Sequence, residues 1–204
     1  MARRRRKFEI IGHRGGGAGR EENTAASFVR ALADGADRLE TDVQLIGGKL
    51  VLAHPPRHFK MTLQELLDLT NRPLVLHLKR KQLNPWHDRR AIDRMIPLIA
   101  ERGNVTVSSF WPSTLVYLRE RYPTIPTAFI SYWPGYDLFF SHRLGSAEYH
   151  GWAPLCTTAA ARQAHRKGIG LIGFVTDDPE RIGRLQRNRV DGVITDSVPD
   201  VKRL

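Results

Sequence analysis

Short β-rich apolar runs alternate with helix-like segments along almost all of the 204-residue chain, and this alternation restricts the fold more than any other feature. It argues for repeated βα units and a parallel sheet. Eight runs qualify as strands, at 8–12, 38–45, 74–79, 105–109, 126–131, 151–154, 170–176 and 192–195, with a short extra strand at 49–53. Helical periodicity fills the intervals at about 24–34, 62–70, 88–102, 112–121, 157–167 and 178–188, with weaker signals near 137–144 and 198–203. Thr24 and Thr62 are placed to cap helices, while Gly35 and Gly168 are placed to end them. The pattern predicts an α/β protein, a small (β/α)8 TIM barrel with parallel strands and short loops. A doubly wound open sheet is the competing architecture, but no strand leads into a glycine-rich dinucleotide loop or a Walker loop.

Hydrophobic side chains make up 41% of the sequence, enough for one sizeable core. The expected organisation is a basic N-terminal tail at 1–7 and a single domain at 8–204. Lys and Arg total 32 against 21 acidic residues, a net charge of +11 that favours phosphates, anionic lipid headgroups or nucleic acid as partners. Five of those cations lie in Arg3-Arg4-Arg5-Arg6-Lys7, which reads as a solvated tail. The one cysteine, Cys156, excludes an intramolecular disulfide and a multi-cysteine zinc cluster, and it suits a reducing interior. The apolar stretch after the basic residues is too short and interrupted for a signal core, and no other approaches the length of a membrane span. These features predict a soluble, cytoplasmic protein.

Barrel enzymes carry their chemistry where strands end, so the charged residues at those ends matter most. Strand one ends at His13-Arg14, strand two carries Glu40 and Asp42, the hairpin strand ends at His54, and strand three carries His77 and Lys79. Residues i and i+2 of a strand share a face, which aligns Glu40 with Asp42 and His77 with Lys79. Two carboxylates on one face repel unless a cation or proton lies between them, and oxygen ligands suit Mg²⁺ or Ca²⁺. Paired histidines beside such a site supply the acid and base that cleavage of a phosphodiester needs. The loop Tyr132-Trp133-Pro134-Gly135-Tyr136 follows strand five on the same face, which makes Trp133 a candidate to line the substrate.

Together these residues resemble the glycerophosphodiester phosphodiesterase family, within the phosphatidylinositol-phospholipase-C-like phosphodiesterase superfamily. The resemblance is carried by His13-Arg14-Gly15, Glu22-Asn23-Thr24, Glu40-x-Asp42 and His54 in that order and spacing. It continues through Thr62-Leu63-Gln64-Glu65-Leu66, His77-Leu78-Lys79, Ser109-Phe110 and the closing strand Val190-Asp191-Gly192-Val193-Ile194-Thr195-Asp196. No motif is recognised from about 126 to 155. The resemblance implies a metal-dependent hydrolase that splits a glycerophosphodiester, or a related lysophospholipid-type diester, into an alcohol and glycerol phosphate. It implies His13 and His54 as general acid and base, in either order, and Arg14 and Lys79 as phosphate-binding residues. It further implies Glu40, Asp42 and His77 as ligands of one divalent ion, and Glu22, Asn23, Ser109 and Phe174 as substrate-lining residues.

Four positions depart from the family pattern. His77 replaces a glutamate, which extends the candidate ions from Mg²⁺ or Ca²⁺ to Mn²⁺ or Zn²⁺. His54 is followed by Pro55-Pro56 and soon by the Thr62 helix, so the family's usual insertion is absent and the pocket is expected to be more open. Glu21 stands for a proline, and Phe174 for a tryptophan. Loss of the insertion also suits a sphingomyelinase D-like, lysophospholipase D-type enzyme. A third reading is a catalytically weakened barrel that binds phosphate or polyanions. The expected partner is a small phosphodiester or lysophospholipid, with an anionic membrane surface as a second candidate and nucleic acid ranked below both.

Overall fold

In the computed structural model, which describes residues 7–16, 21–54, 59–79 and 85–203, eight parallel strands close into a ring. They are β1 (Glu9–His13), β2 (Arg38–Ile46), β5 (Leu74–Leu78), β6 (Val105–Ser109), β7 (Thr127–Ser131), β8 (Glu148–Trp152), β9 (Gly170–Phe174) and β10 (Gly192–Thr195). Closure rests on β1, which pairs with β10 through Ile11 opposite Ile194 and with β2 through His13 opposite Glu40. Two short strands, β3 (Lys49–Leu52) and β4 (Met61–Thr62), extend β2 as an antiparallel flap outside the ring. The helices are α1 (Ala25–Ala33), α2 (Leu63–Leu69), α3 (Pro85–Ile99), α4 (Pro112–Arg121), α5 (Pro134–Arg143), α6 (Thr158–Arg166), α7 (Pro179–Arg187) and α8 (Val198–Lys202). The expected (β/α)8 barrel is therefore the fold.

Local chemistry explains where the helices begin. Thr24 and Thr62 both form capping boxes, in which the threonine hydroxyl accepts from the N3 amide and the N3 side chain accepts from the threonine amide. Asp178 caps α7 by accepting from the amides of Glu180 and Arg181, and Pro179 enters at a position whose N–H has no helical partner anyway. The main apolar core fills the layer between strands and helices, with Leu39, Leu76, Ile92, Met95 and Leu115 fully buried. A smaller cluster of Ile11, Val75, Ile172 and Ile194, with Phe174 packed on it, plugs the barrel interior.

That interior also carries charge. Arg38 of β2 donates to both carboxylate oxygens of Glu148 on β8, at 2.8 and 3.2 Å, and lies 2.9 Å from Glu9 Oε2. Since β2 and β8 are not neighbours in the ring, this pair spans the interior. It also accounts for the largest difference from the sequence reading, which placed this strand at 151–154. The strand begins at Glu148, and its inward positions Glu148 and His150 are polar, so no apolar run marks it. Residues 153–155 form a 3₁₀ turn instead. The strand expected at 170–176 ends at Phe174, and α3 spans Pro85–Ile99 rather than 88–102.

Lys7, assigned to the tail, pairs with Asp37 at 2.7 Å; the arginines at 3–6 lie outside the described residues, as do Pro55 and Pro56. Among the described residues no helix is long and apolar enough to cross a membrane.

The β10–β1 seam depends on a glycine. A Cβ at Gly192 would stand 2.6 Å from the backbone oxygen of Glu9, an atom that cannot turn aside. Gly192→Ala is expected to cost roughly 1–3 kcal/mol through this overlap, read as a lower urea midpoint with an unchanged m-value. A wild-type midpoint would show that the seam tolerates the extra carbon.

Candidate active site

The strand ends bring the predicted residues to one mouth of the barrel. His13 closes β1, Glu40 and Asp42 lie on β2, His77 lies on β5, and Arg14, His54 and Lys79 follow their strands closely. All seven line one cavity of about 200 Å³, together with Ser108, Phe110, Ile130, Tyr132, His150, Phe174, Val175 and Ile194. Strand register explains part of the meeting: Asp42 stands opposite His77, and His77 opposite Ser108. His54 is held over the cavity because β3 folds back on β2, with the Ala53 amide donating to the Asp42 carbonyl at 3.1 Å and the Gln44 side chain to the Ala53 carbonyl at 2.6 Å.

Arg14 sits at φ 50°, a left-handed conformation that costs energy for a residue with a side chain. Its carbonyl accepts from the Asn23 amide at 2.9 Å, and Asn23 is itself left-handed, at φ 57°. Asn23 is buried, and its side chain accepts from the Thr41 hydroxyl at 2.7 Å. The Glu-Asn-Thr segment thus works as a brace that fixes the turn after β1 against β2. Its glutamate acts on Arg14 directly: Glu22 Oε2 accepts from Arg14 Nη1 at 2.9 Å. Arg14 Nε lies 2.9 Å from Asp42 Oδ2, an ion pair whose N–H is not aligned for a hydrogen bond.

Asp42 is the electrostatic centre. Besides Arg14, Lys79 Nζ lies 3.2 Å and His77 Nδ1 3.1 Å from its Oδ1. Burial alone would raise its carboxyl, but the His77 hydrogen bond and the charges of Lys79 and Arg14 hold it well below the usual carboxylate range. Glu40 behaves oppositely: burial pushes its carboxyl up, and the Asp42 charge adds to that shift. Burial also lowers the His77 imidazole to about 4, so the ring is neutral at pH 7. For His13 burial again opposes the charge, yet the Asp196 hydrogen bond and the charge of Glu40 prevail and raise its pKa. That bond joins His13 Nδ1 to Asp196 Oδ1 at 2.9 Å, while His13 Nε2 lies 3.9 Å from Glu40 Oε2.

Glu40, Asp42 and His77 meet the requirements of a cation site. One ligand atom from each lies within 4.8 Å of the others, and all three residues are buried. Ligand atoms about 2.0–2.6 Å from one ion stand at most about 5 Å apart, so a single ion reaches all three. Glu40 Oε2 is buried without a hydrogen-bond partner, a costly state for a carboxylate that a cation relieves. Two oxygens and one nitrogen accommodate Mg²⁺, Ca²⁺, Mn²⁺ or Zn²⁺.

Of the residues expected to line the substrate, Phe174 lines the cavity. Ser109 does not: its hydroxyl accepts from the Trp111 amide at 3.2 Å, and strand alternation turns Ser108 to the cavity instead. Trp133 is 69% exposed and outside the cavity, while its neighbour Tyr132 forms the wall with Phe110 and Phe174, at ring separations of 5.7 and 5.6 Å. Glu22 and Asn23 support Arg14 rather than line the space. Asp196 and His150 received no site role from the sequence, and Ser108 and Tyr132 entered only beside Ser109 and Trp133. Asp196 follows the last strand, so the strand-end criterion that selected His13 would have selected it too.

The sequence matches the glycerophosphoryl diester phosphodiesterase family over residues 13–87 and 60–200, a span that includes every charged residue of the cavity. The chain belongs to that family. It is a phosphoric diester hydrolase. Bacillus subtilis YhdW, provisionally named a glycerophosphodiester phosphodiesterase, is 24% identical over 228 residues, covering 92% of this chain and 93% of that protein. An Oleispira antarctica phosphodiesterase solved with its product sn-glycerol-3-phosphate superposes with a TM-score of 0.84 at 19% identity, over 96% of this chain and 95% of that one. A Parabacteroides distasonis glycerophosphodiester phosphodiesterase gives a TM-score of 0.83 at 18% identity, over 98% and 97% of the two chains.

Proposed function

We propose that this family member hydrolyses a glycerophosphodiester to an alcohol and glycerol phosphate, using one divalent ion and two histidines. The observation that carries the reading is the convergence of His13, His54, Arg14 and Lys79 on the same cavity as the buried Glu40–Asp42–His77 cluster. Arg14 and Lys79 are the phosphate-binding cations, and Glu22 holds Arg14 in line. Glu40, Asp42 and His77 would hold the ion, which when bound supplies positive charge to the phosphate oxygens. One histidine takes the proton of the glycerol hydroxyl that attacks phosphorus, the other returns a proton to the departing alkoxide, and water then opens the resulting cyclic phosphate to glycerol phosphate. Asp196 fixes the His13 ring for that task, and the Phe110–Tyr132–Phe174 wall keeps water from one side of the reacting phosphate.

Turnover of glycerophosphocholine is expected to fall to background with EDTA and to return with one of Mg²⁺, Ca²⁺, Mn²⁺ or Zn²⁺. Lysophosphatidylcholine serves as the second substrate arm, because preference for it would move the assignment to the lysophospholipase D type. Absence of turnover of both substrates with all four ions would remove the proposal. A cytoplasmic location is part of it, and a sequence with one cysteine, Cys156, suits a reducing interior.

A further inference from the structure

Among the described residues that line the cavity, two polar atoms outside the charged cluster have no hydrogen-bond partner, Ser108 Oγ and His150 Nδ1. Both residues are wholly buried, both line the cavity, and neither belongs to the charged cluster described above. Buried polar atoms are paired in folded proteins, with protein, water or ligand, because an unpaired one forfeits its hydration.

The chemistry of the two atoms specifies the partner. His150 Nε2 lies 2.9 Å from Glu148 Oε2, and Glu148 is held as a carboxylate by Arg38. An ionised carboxylate only accepts, so Nε2 carries the proton of that bond, and the tautomer with this one proton leaves a lone pair at Nδ1. A lone pair facing the cavity repels a phosphate oxygen and accepts from a hydroxyl. The Ser108 hydroxyl both donates and accepts. Ile130, on the strand between those of Ser108 and His150, and Ile194 also line the cavity and offer apolar contact to a short carbon chain.

We infer that Ser108 and His150 form a subsite for a neutral alcohol hydroxyl, the glycerol side of a glycerol phosphate whose phosphate is held by Arg14 and Lys79. The inference rests on the phosphodiesterase reading for the identity of the ligand. It makes the floor of the barrel, rather than the missing insertion, the place where the polyol is recognised.

Calorimetric titration of sn-glycerol 3-phosphate and of inorganic phosphate into wild type, Ser108→Ala and His150→Gln tests it, with the divalent ion present throughout. Wild type is expected to bind glycerol phosphate more tightly than phosphate. Each variant should lose about 3- to 10-fold in glycerol phosphate affinity, the worth of one neutral hydrogen bond, while phosphate affinity stays within about twofold. The melting temperature of Ser108→Ala should equal or exceed that of wild type, since the change deletes an unpartnered buried hydroxyl. His150→Gln keeps a donor for Glu148 and removes the ring acceptor. Parallel loss of both ligands, or unchanged glycerol phosphate affinity because an ordered water alone fills the subsite, would overturn the inference. Wild type that discriminates the two ligands but turns over no diester would sink the proposed reaction and leave the subsite standing.

Discussion

Under the proposed mechanism His13→Ala is expected to lower the turnover of a glycerophosphodiester by about 10²- to 10⁴-fold, the range for removal of a positioned acid or base. Its position makes the size of this effect understandable. The ring is held between Asp196 Oδ1 at 2.9 Å and the Glu40 carboxylate, with Nε2 3.9 Å from Oε2, and its side chain is only 14% exposed. Such a ring has its reacting nitrogen already aimed, so removal forfeits orientation as well as proton transfer. kcat and kcat/KM should fall together, because the lost interaction belongs to the transition state. Retention of more than about a tenth of the activity would assign the chemistry elsewhere. Asp196→Asn provides the graded comparison, since it keeps the ring and weakens what orients it. Neither change touches the apolar layers, so far-UV circular dichroism and the melting temperature should stay close to wild type.

The second large effect is one of stability. Glu148→Ala is expected to cost about 3–5 kcal/mol, as when one partner of a buried ion pair is deleted and the other is left behind. Among the described residues Arg38 would keep only Glu9, whose side chain is 43% exposed, and His150 would lose its hydrogen bond to Glu148. In a protein of this size that corresponds to roughly 10 °C in melting temperature. The surface pair Arg184–Glu180, with side chains 60% and 78% exposed, is worth only about 0.3–0.5 kcal/mol by comparison. The pH dependence has a definite sign. Burial opposes ionisation of Glu148, but the His150 hydrogen bond and the Arg38 charge prevail and hold its carboxyl at about 2, below the ordinary 4.5. Its contribution is therefore present above the unfolded-state value and is lost as pH falls through about 2. The gap between wild type and Glu148→Ala in urea unfolding should be widest near pH 7 and narrow progressively below about pH 4.5. A constant gap down to pH 2 would mean that the carboxylate charge is not the source of the stability.

The parts of the fold legible in the sequence were those built from apolar repetition. Seven of the eight barrel strands announced themselves as runs such as Leu74–Leu78 and Thr127–Ser131, because at least one face of each repeats apolar side chains packed against the helices. β8 did not, since its inward side is the Glu148–His150 polar pair and its register cannot be read from hydrophobicity. The charged half of the site was legible for a similar reason: strand ends are short and their charges conspicuous, so His13, Glu40, Asp42, His77 and Lys79 could be placed together. The uncharged half was not. The choice between Ser108 and Ser109 depends on which residue of β6 faces inward, and adjacent serines give no alternation to decide it. The choice between Tyr132 and Trp133 depends on a loop conformation that neither side chain specifies. Glu22 was expected to line the substrate but pairs with Arg14 instead, a distinction that spacing alone does not make.

The bond between His13 and Asp196 joins the first strand of the ring to the residue just after the last. A chain leaving the ribosome carries the stretch from His13 to Lys79 into solution long before residue 196 emerges. Until β10 docks against β1, the His13 ring lacks the partner that aims it, whatever else has already assembled. Completion of the barrel and orientation of this histidine are thus a single event, so an unfinished chain can display Glu40 and Asp42 and yet lack the aligned His13 on which the proposed mechanism depends.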